Sequence, residues 1–451
     1  MLVIKRYPVL AAVLLATLIA SPVMAQGAEM LVMDAPVTVC ELPVDHPDMS
    51  RADEFTRRIR ANYDSNARGT ATFDVTYTGF SQEAEDAFQF AVDIWEQHIE
   101  STVPIKVSAN WTPLGADILG SAGANLVHAN FAGAPLTSTW YGSALADALA
   151  GLDLDPPGSD INANFNSTLA NWYFGTDGNP PAGEFDLVTV VLHELGHGLG
   201  FFGSMNVDDG DAGNGEECNG VNGEGCWGLE GVDFAVIFDR FAEDGPGVSL
   251  IDTDAYPNPS GTLAMALQRD DVHFDGALVG ATLGNRGPLY APNPWNPGSS
   301  YSHWDEDSFM AGDENALMTP FISSGESNHS PGPATCAHFN DIGWTLGTEC
   351  AMLVANEPQA TIAEGVTLGS AYPNPFTNEV TLTLRVDEPQ HVRATLYDLL
   401  GRRIAVLHDG LVGAGSPLNI SVSGASLQPA VYFVRVEGEQ FVTTRRVVRV
   451  Q

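Results

Sequence analysis

Alternating and helical patterns of apolar residues predict a strand, a helix and further strands in the first third of the chain. Apolar and polar residues alternate over Ala71–Phe80, as in a half-buried strand. Apolar residues then recur at helical spacing as far as about Ile99, and Ser81 stands where a side chain caps a helix. Further strands are predicted over Pro104–Trp111 and Ile161–Phe165.

A second helix is predicted by the apolar run Phe185–Leu192, which continues into the sequence H-E-L-G-H. His193 and His197 stand four residues apart, so a helix places both imidazoles on one face. Two such nitrogens can bind one zinc ion, and Glu194 can take a proton from a water on that ion. Gly200 follows at the position where a left-handed residue would end the helix. The pattern predicts a zinc site with a neighbouring base.

Charge is concentrated in one part of the 451-residue chain, a length that suggests about three domains. The formal net charge is −38, and residues 69–349 hold 40 acidic and 4 basic residues. Such a surface argues against nucleic acid as a partner. It favours a protein adapted to high salt, in which self-repulsion is screened. An ordinary acidic secreted protein is the alternative.

The first 25 residues have the pattern of a signal peptide, with Lys5 and Arg6 before an apolar run. We therefore expect an exported mature chain with no transmembrane span. Residues 26–68 are irregular in pattern and are interpreted as an N-terminal arm or a propeptide. Residues 69–349 are interpreted as the catalytic domain.

Export permits disulfide bonds, and the chain has five cysteines. Closeness in sequence predicts the pairs Cys218–Cys226 and Cys336–Cys350, which leaves Cys40 without a partner. A loop after the second helix is rich in acidic residues and glycine. It is predicted either to bind calcium or to be a solvated acidic loop. The candidate calcium ligands are Asp208, Asp209 and Asp211, with Asn214 and Glu216.

The motif H-E-x-x-H-x-x-G resembles that of the metzincin zinc endopeptidases. That clan normally has its third histidine at the position that Gly203 occupies here. Further along, Tyr301-Ser-His-Trp and Ala316-Leu-Met-Thr-Pro320 resemble the leishmanolysin-type branch, in which the third histidine follows a long insertion. The resemblance implies that His303 is the third zinc ligand and that Met318 lies beneath the metal.

The same resemblance implies an α+β fold, with a twisted mixed sheet, an active-site helix and an insertion over about 204–302. It also implies an edge strand that pairs with the substrate backbone, and Ile161–Phe165 or a neighbouring strand is the candidate. Some metzincins are kept latent by a propeptide cysteine. Cys40 could serve in this way, although an unpaired thiol or a different disulfide is the preferred interpretation.

The end of the chain has a different composition. Residues 350–369 are predicted to be a linker, and short strands over 370–451 predict a small β-sandwich. Four segments of this module resemble the C-terminal sorting domain of the bacterial type IX secretion system: Tyr372–Phe376, Leu396–Arg402, Gln428–Phe433 and Arg445–Arg449. The resemblance implies contact with the secretion machinery and an extracellular or cell-surface location. An immunoglobulin-like accessory or carbohydrate-binding domain is the alternative.

Together these features predict a secreted, zinc-dependent endopeptidase acting on a protein or peptide, with Glu194 as general base. Two other classes remain open. One is an exported metal-containing binding or adhesion protein. The other is a zinc hydrolase that acts on cell-wall peptides.

Overall fold

The computed structural model divides the chain into two compact units, residues 1–351 and 352–451. In the first unit it describes residues 29–36, 38–41, 58–59, 69–115, 118–169, 171–208, 210, 218, 221–229 and 232–351. In the second it describes 352–355, 360–363, 366–368, 371, 376, 379–386, 388–398, 402–415, 417–428, 430–438 and 441–449. The signal-peptide prediction falls outside these residues.

The first unit combines short strands with a few helices. Its strands are β1 Leu31–Asp34, β2 Thr38–Glu41, β3 Arg58–Ile59, β4 Phe73–Thr78, β5 Ile99–Glu100, β6 Ile105–Thr112, β7 Ile118–Ala124, β8 Leu126–Ala129, β9 Thr139–Gly142, β10 Ile161–Asn166, β11 Trp172–Tyr173, β12 Phe185–Asp186, β13 Asn206–Val207, β14 Gly225–Cys226, β15 Ala235–Val236, β16 Ala242–Asp244, β17 Val272–Phe274, β18 Gly287–Leu289, β19 Ser327–Asn328 and β20 Thr345–Leu346. The helices are α1 Gln82–His98, α2 Ser143–Ala150, α3 Leu187–Gly198, α4 Gly261–Leu267, α5 Ala277–Leu283, α6 Gly332–Ile342 and α7 Thr348–Ala355, the last of which contains the division between the units.

A five-stranded mixed sheet in the order β2-β7-β10-β6-β4 forms the centre of this unit. Strands β4, β6 and β10 are parallel, whereas β7 is antiparallel to both β10 and β2. A smaller sheet has the order β1-β8-β9-β15. After Ile118 and Leu119, strand β7 contains only glycine, serine and alanine, so pattern alone did not predict it.

Helix α1 follows β4, and the predicted cap is confirmed: the Ser81 hydroxyl oxygen accepts a hydrogen bond from Ala84 N. The buried face of the helix carries Phe88 and Trp95. The Phe88 ring packs edge-on against Phe165 of β10, with centroids 5.6 Å apart. The Trp95 indole donates a hydrogen bond of 3.0 Å to Leu192 O in α3. Helix α1 therefore connects the sheet to the helix that bears the candidate zinc motif.

Although the sequence pattern of residues 26–68 is irregular, their described parts contain the short strands β1, β2 and β3. These strands pair with β8, β7 and β19, respectively. Each is at most four residues long, and partner strands distant in sequence supply its hydrogen bonds. The Cα of Cys40 lies opposite that of Gly120 in the β2–β7 register, and the Cys40 side chain is outside the described part of the chain.

The suggestion that Ile161–Phe165 could be a free edge strand was also wrong. This segment is β10, and it lies between β7 and β6 with hydrogen-bonded partners on both sides. The outer side of the neighbouring strand β7 is paired with β2. The described edges of the sheet are therefore β2 and β4.

Both predicted disulfides are present. Cys218–Cys226 closes the segment that follows the candidate calcium ligands, and Cys336–Cys350 joins α6 to α7. Within the long insertion, β16, β17 and β18 form a three-stranded sheet. The apolar side chains of Val236 and Phe238 in the same insertion are buried, so this segment contributes to the core.

The second unit consists of two four-stranded antiparallel sheets with one apolar core. Alternate residues of its strands, such as Leu382, Leu396 and Val434, are buried in that core. The strands of this unit are β21 Ala360–Ala363, β22 Val366–Leu368, β23 Glu379–Val386, β24 Gln390–Asp398, β25 Arg403–Val412, β26 Leu418–Ser423, β27 Ala430–Glu437 and β28 Val442–Arg449. The sheet orders are β21-β22-β23-β26 and β25-β24-β27-β28.

The prediction of a linker over 350–369 was wrong for much of that segment. Helix α7 extends to Ala355, and β21 and β22 belong to the first sheet of the second unit. Val366 and Leu368 are buried because β22 places them against the core. Two alternating apolar residues are too few to predict a strand, and the pairing with β23 determines its position.

Replacing the cap of α1 tests how much the helix start contributes to stability. Ser81→Ala is expected to lower the free energy of unfolding by about 1 kcal/mol, because Ala84 N–H loses its acceptor. Urea unfolding followed by circular dichroism measures the change. Ser81→Asp is the matched control, since aspartate can also cap the helix, and equal losses in both variants would contradict the capping role.

Candidate metal centre

Helix α3 begins at a buried cap. Asp186 Oδ2 accepts hydrogen bonds from Thr189 N at 2.9 Å and from the Thr189 hydroxyl at 2.6 Å. The His329 ring nitrogen Nε2 lies 2.7 Å from the same oxygen. This cap joins the helix to the segment that follows the short turn over Ala316–Met318, here called the methionine turn, and fixes where α3 starts.

The structure brings His193, His197 and His303 together. The Nε2 atoms of His193 and His197 are 3.0 Å apart, and that of His303 lies 3.2 Å from each. All three side chains are buried. In a tetrahedral zinc site with Zn–N bonds of 2.0–2.1 Å, ligand nitrogens lie about 3.3 Å apart. The spacing of the three nitrogens therefore fits one such ion.

The opposite ring nitrogens show which atoms can act as ligands. The Nδ1 atoms of His193, His197 and His303 each lie 2.7 Å from a backbone carbonyl oxygen, of Leu317, Phe201 and Ser299, respectively. A carbonyl only accepts, so each Nδ1 carries the hydrogen. In the neutral ring, Nε2 is then unprotonated and carries a free lone pair. Three lone pairs face one another, an arrangement that a cation stabilises.

Burial also keeps these rings neutral. It lowers the pKa of His193 to about 4. It lowers the pKa values of His197 and His303 well below the ordinary value, and the neighbouring histidines lower them further. Neutral imidazole is the form that binds zinc, so the donor set suits the metal near neutral pH.

His303 reaches the site from a loop more than a hundred residues after the helix. Tyr290 N donates a hydrogen bond to His303 O, and Trp304 N donates to Met318 O. The first bond ties the loop to the chain after β18, and the second ties it to the methionine turn. The position of the third imidazole is therefore set by backbone pairing between distant segments.

Met318 ends a short 3₁₀ turn over Ala316–Met318 and is fully buried. Its sulfur packs against Gly196 of α3, where a Cβ atom would lie 2.6 Å from Sδ. Only glycine permits this approach between the turn and the helix. The carbonyl of the preceding Leu317 holds His193, so the turn supports the candidate site directly.

Gly200 and Gly203 follow the motif. Gly200 has a φ of 123° and stands where the chain leaves the helix. At Gly203, a Cβ would overlap the ring of Tyr301 and the carboxylate of Asp239. Residues of the insertion therefore occupy the space that a third histidine side chain at position 203 would need.

Glu194 is fully buried beside His193 and lies against β7. A Cβ built on Gly120 would be 3.1 Å from Glu194 Oε1, so the carboxylate touches the backbone of that strand. The glutamate therefore joins the motif helix to the central sheet.

The other predicted site residues lie elsewhere or outside the described part. Asp208 is buried and accepts a hydrogen bond from Gly210 N, whereas Asp209 and Asp211 are outside the described residues, as are Asn214 and Glu216. His273 lies on β17 and pairs with Asp271 at 3.0 Å. Among the described residues, the three histidines are the only set of potential ligands that meets within 4.8 Å.

Several supporting groups were missed by the sequence analysis. Asp186, Thr189 and His329 form the cap of the helix, and Ser299 and Leu317 contribute only their carbonyl oxygens. An aspartate three residues before a threonine could have been predicted as a helix cap. A backbone carbonyl gives no signal in sequence.

Two family models match parts of the chain. An SPBPB7E8-like family model matches residues 140–210, which include α2, β10 and α3. The model of the secretion system C-terminal sorting domain matches residues 370–451. The second unit thus carries a type IX sorting domain, and the protein is secreted or placed at the cell surface. None of the described helices is both long and apolar enough to cross a membrane.

No curated protein matches the chain. Among solved structures, the chain is similar to the sensor domain of the anti-sigma factor RsgI4 of Pseudobacteroides cellulosolvens. That match has 8% sequence identity and covers 19% of this chain and 76% of the other, with a TM-score of 0.16. A TM-score this low carries no argument about fold or function.

The third imidazole can be tested by metal binding. His303→Ala is expected to weaken zinc binding on the order of a hundredfold or more, because even the loss of a residue that supports a ligand costs 10–100-fold. Zinc titration of the chelator-treated protein, followed by dialysis and elemental analysis, measures this. His273→Ala is the control, and unchanged affinity in His303→Ala would exclude His303 as a ligand.

Proposed function

We propose that the first unit is a secreted, zinc-dependent endopeptidase of the metzincin type, related to the leishmanolysin-type branch. The observation that carries the proposal is the convergence of three buried imidazole nitrogens beside a buried glutamate. Three neutral nitrogen donors leave the fourth tetrahedral position open, the arrangement typical of catalytic rather than structural zinc. When bound, the ion supplies positive charge that lowers the pKa of a water and polarises a carbonyl group.

Glu194 is proposed as the general base and acid. It follows His193 directly on α3, so its carboxylate belongs to the same helical turn as the first imidazole. It would accept a proton from the attacking water and later give that proton to the amine that leaves. Burial removes bulk water from around the carboxylate, which strengthens its interaction with a nearby proton or charge.

The surroundings of the site also support this proposal. A mixed sheet with a helix bearing H-E-x-x-H and a buried methionine turn is the arrangement that the resemblance implies. Met318 would form the apolar floor and touch no substrate. The sorting domain supports an extracellular protein or peptide as the substrate, because it directs the chain out of the cell.

Glu194→Gln tests the chemistry, because glutamine preserves the shape of the side chain but cannot act as a base. Casein cleavage is expected to fall on the order of 10²–10⁴-fold while one zinc per chain is retained. Glu184→Gln, which changes a partly exposed carboxylate just before α3, is the control and should keep full activity.

Parallel assays separate the other functions. Casein and purified cell wall are each incubated with the protein, with and without a chelator. Cleavage of cell wall alone would favour a cell-wall hydrolase. If neither is cleaved and Glu194→Gln leaves binding or adhesion by the protein unchanged, the proposal of a peptidase would give way to that of a metal-containing binding protein.

A further inference from the structure

The loop that carries His303 is shaped by bonds within the insertion. Tyr301 N donates a hydrogen bond to Tyr290 O, and Tyr290 N donates one to His303 O. These two bonds join the loop to the chain after β18, which is itself part of the insertion, and not to the helix that carries the other two histidines. Further contacts must therefore set the place of His303 relative to α3. On the side that follows His303, the bond from Trp304 N to the methionine turn is one of them.

On the side that precedes His303, Asp239 connects the loop to the exit of α3. The Asp239 carboxylate is fully buried. Its Oδ1 accepts hydrogen bonds from Ser204 N at 2.9 Å and from the Tyr301 hydroxyl at 3.0 Å. Its Oδ2 accepts from the Ser204 hydroxyl at 2.5 Å and from Val236 N at 2.8 Å. One carboxylate therefore links three segments of chain that are far apart in sequence.

The donors around Asp239 are all neutral groups. Arg240 is the next residue in the chain, but its guanidinium group donates to Thr139 Oγ1 and to Ser138 O instead. A buried carboxylate is costly unless hydrogen bonds satisfy it, and bonds to an ionised acceptor are stronger than those between neutral groups. The donors, including the Tyr301 hydroxyl, are therefore held firmly in place around the carboxylate.

Tyr301 has a backbone conformation that needs such support. Its φ is 71°, in the left-handed region that residues with a side chain rarely adopt. A conformation of this kind persists only where the surrounding structure holds it. The Tyr301 ring lies in the space left by Gly203 and packs edge-on against Phe238, with centroids 5.2 Å apart, while the hydroxyl bonds to Asp239. Because rotation about this backbone bond moves the residues that follow, it determines the direction in which the chain reaches His303.

We propose that Tyr301, anchored by Asp239, is a positioning residue that fixes the imidazole of His303 in the metal centre and thereby sets the affinity for zinc. The proposal rests on the metal binding in the proposed function and deepens it, whether or not the protein cleaves peptides. Neither residue belongs to the set of ligands that meets within 4.8 Å, so both would act through His303. Loss of a residue that supports a ligand costs 10–100-fold in metal affinity.

Tyr301→Phe tests the proposal, because phenylalanine keeps the ring and removes only the hydroxyl that bonds to Asp239. Zinc affinity of the chelator-treated full-length protein is measured by competition with a chromogenic chelator, and it is expected to fall about tenfold or more. Tyr256→Phe is the matched control. It removes a tyrosine hydroxyl that donates to Asp244 Oδ2 in the same insertion, and zinc affinity should stay within about twofold of wild type.

Cobalt substitution distinguishes positioning from a merely structural role. The visible spectrum of cobalt(II) depends on the number and arrangement of its ligands. Cobalt-loaded Tyr301→Phe is expected to have an altered visible spectrum with the same far-ultraviolet circular dichroism as wild type. A lower urea midpoint with unchanged zinc affinity of the folded protein and an unchanged cobalt spectrum would overturn the proposal.

Asp239→Asn tests whether the anchor acts through Tyr301. Asparagine can accept hydrogen bonds at one end only, so two of the donors lose their acceptor and zinc binding should weaken. Adding Tyr301→Phe to this variant should reduce affinity by a smaller factor than in wild type, since both changes break one connection. An equal factor in the two backgrounds would exclude the role of Asp239. If Tyr301→Phe does not fold, unchanged zinc affinity in Asp239→Asn would overturn the proposal.

The same titrations separate this proposal from the proposed function. If His303→Ala loses zinc while Tyr301→Phe binds it as wild type does, the metal centre stands and only the positioning role fails. If the wild type binds zinc but cleaves neither casein nor cell wall, the hydrolase function fails, and weaker zinc binding by Tyr301→Phe still supports the positioning role. A wild type that binds no zinc would overturn both.

Discussion

Three hydrogen bonds from imidazole to backbone carbonyl hold the candidate metal centre together. Each orients a ring so that its other nitrogen faces the centre of the cluster. The three carbonyls come from the methionine turn, the exit of α3 and the loop before His303. The geometry of the site therefore depends on three separate backbone segments meeting correctly. Facing lone pairs in a buried space are unfavourable without a cation, so the same bonds that order the site also prepare it for a metal.

Close approach at glycine positions allows these segments to meet. Gly196 admits the sulfur of Met318 against α3, and Gly203 admits Tyr301 and Asp239 from the insertion. A side chain at either place would push the methionine turn or the insertion away from the helix. The long insertion thereby becomes part of the support of the site, because it fills the space after the motif and returns the chain to present His303.

The candidate site belongs to a secreted and strongly acidic unit. The type IX sorting domain takes the protein out of the cell, where disulfides such as Cys336–Cys350 are stable. The first unit is strongly acidic and contains few basic residues.

The local sequence was sufficient to predict the start of α1 at Ser81, both disulfides, the candidate zinc helix and the strands that follow residue 370, with shifts of a few residues. Each depends on residues close together in the chain, through helical or alternating periodicity, a side-chain cap or a short loop. Only the tertiary structure decided the pairing of β2 with β7, the place of β22 in a sheet and the interior position of β10. It also decided which carbonyls hold the histidines and that Asp239 accepts a hydrogen bond from Tyr301. These depend on contacts between distant segments, and the hydrogen-bonding capacity of the backbone is the same for almost every residue.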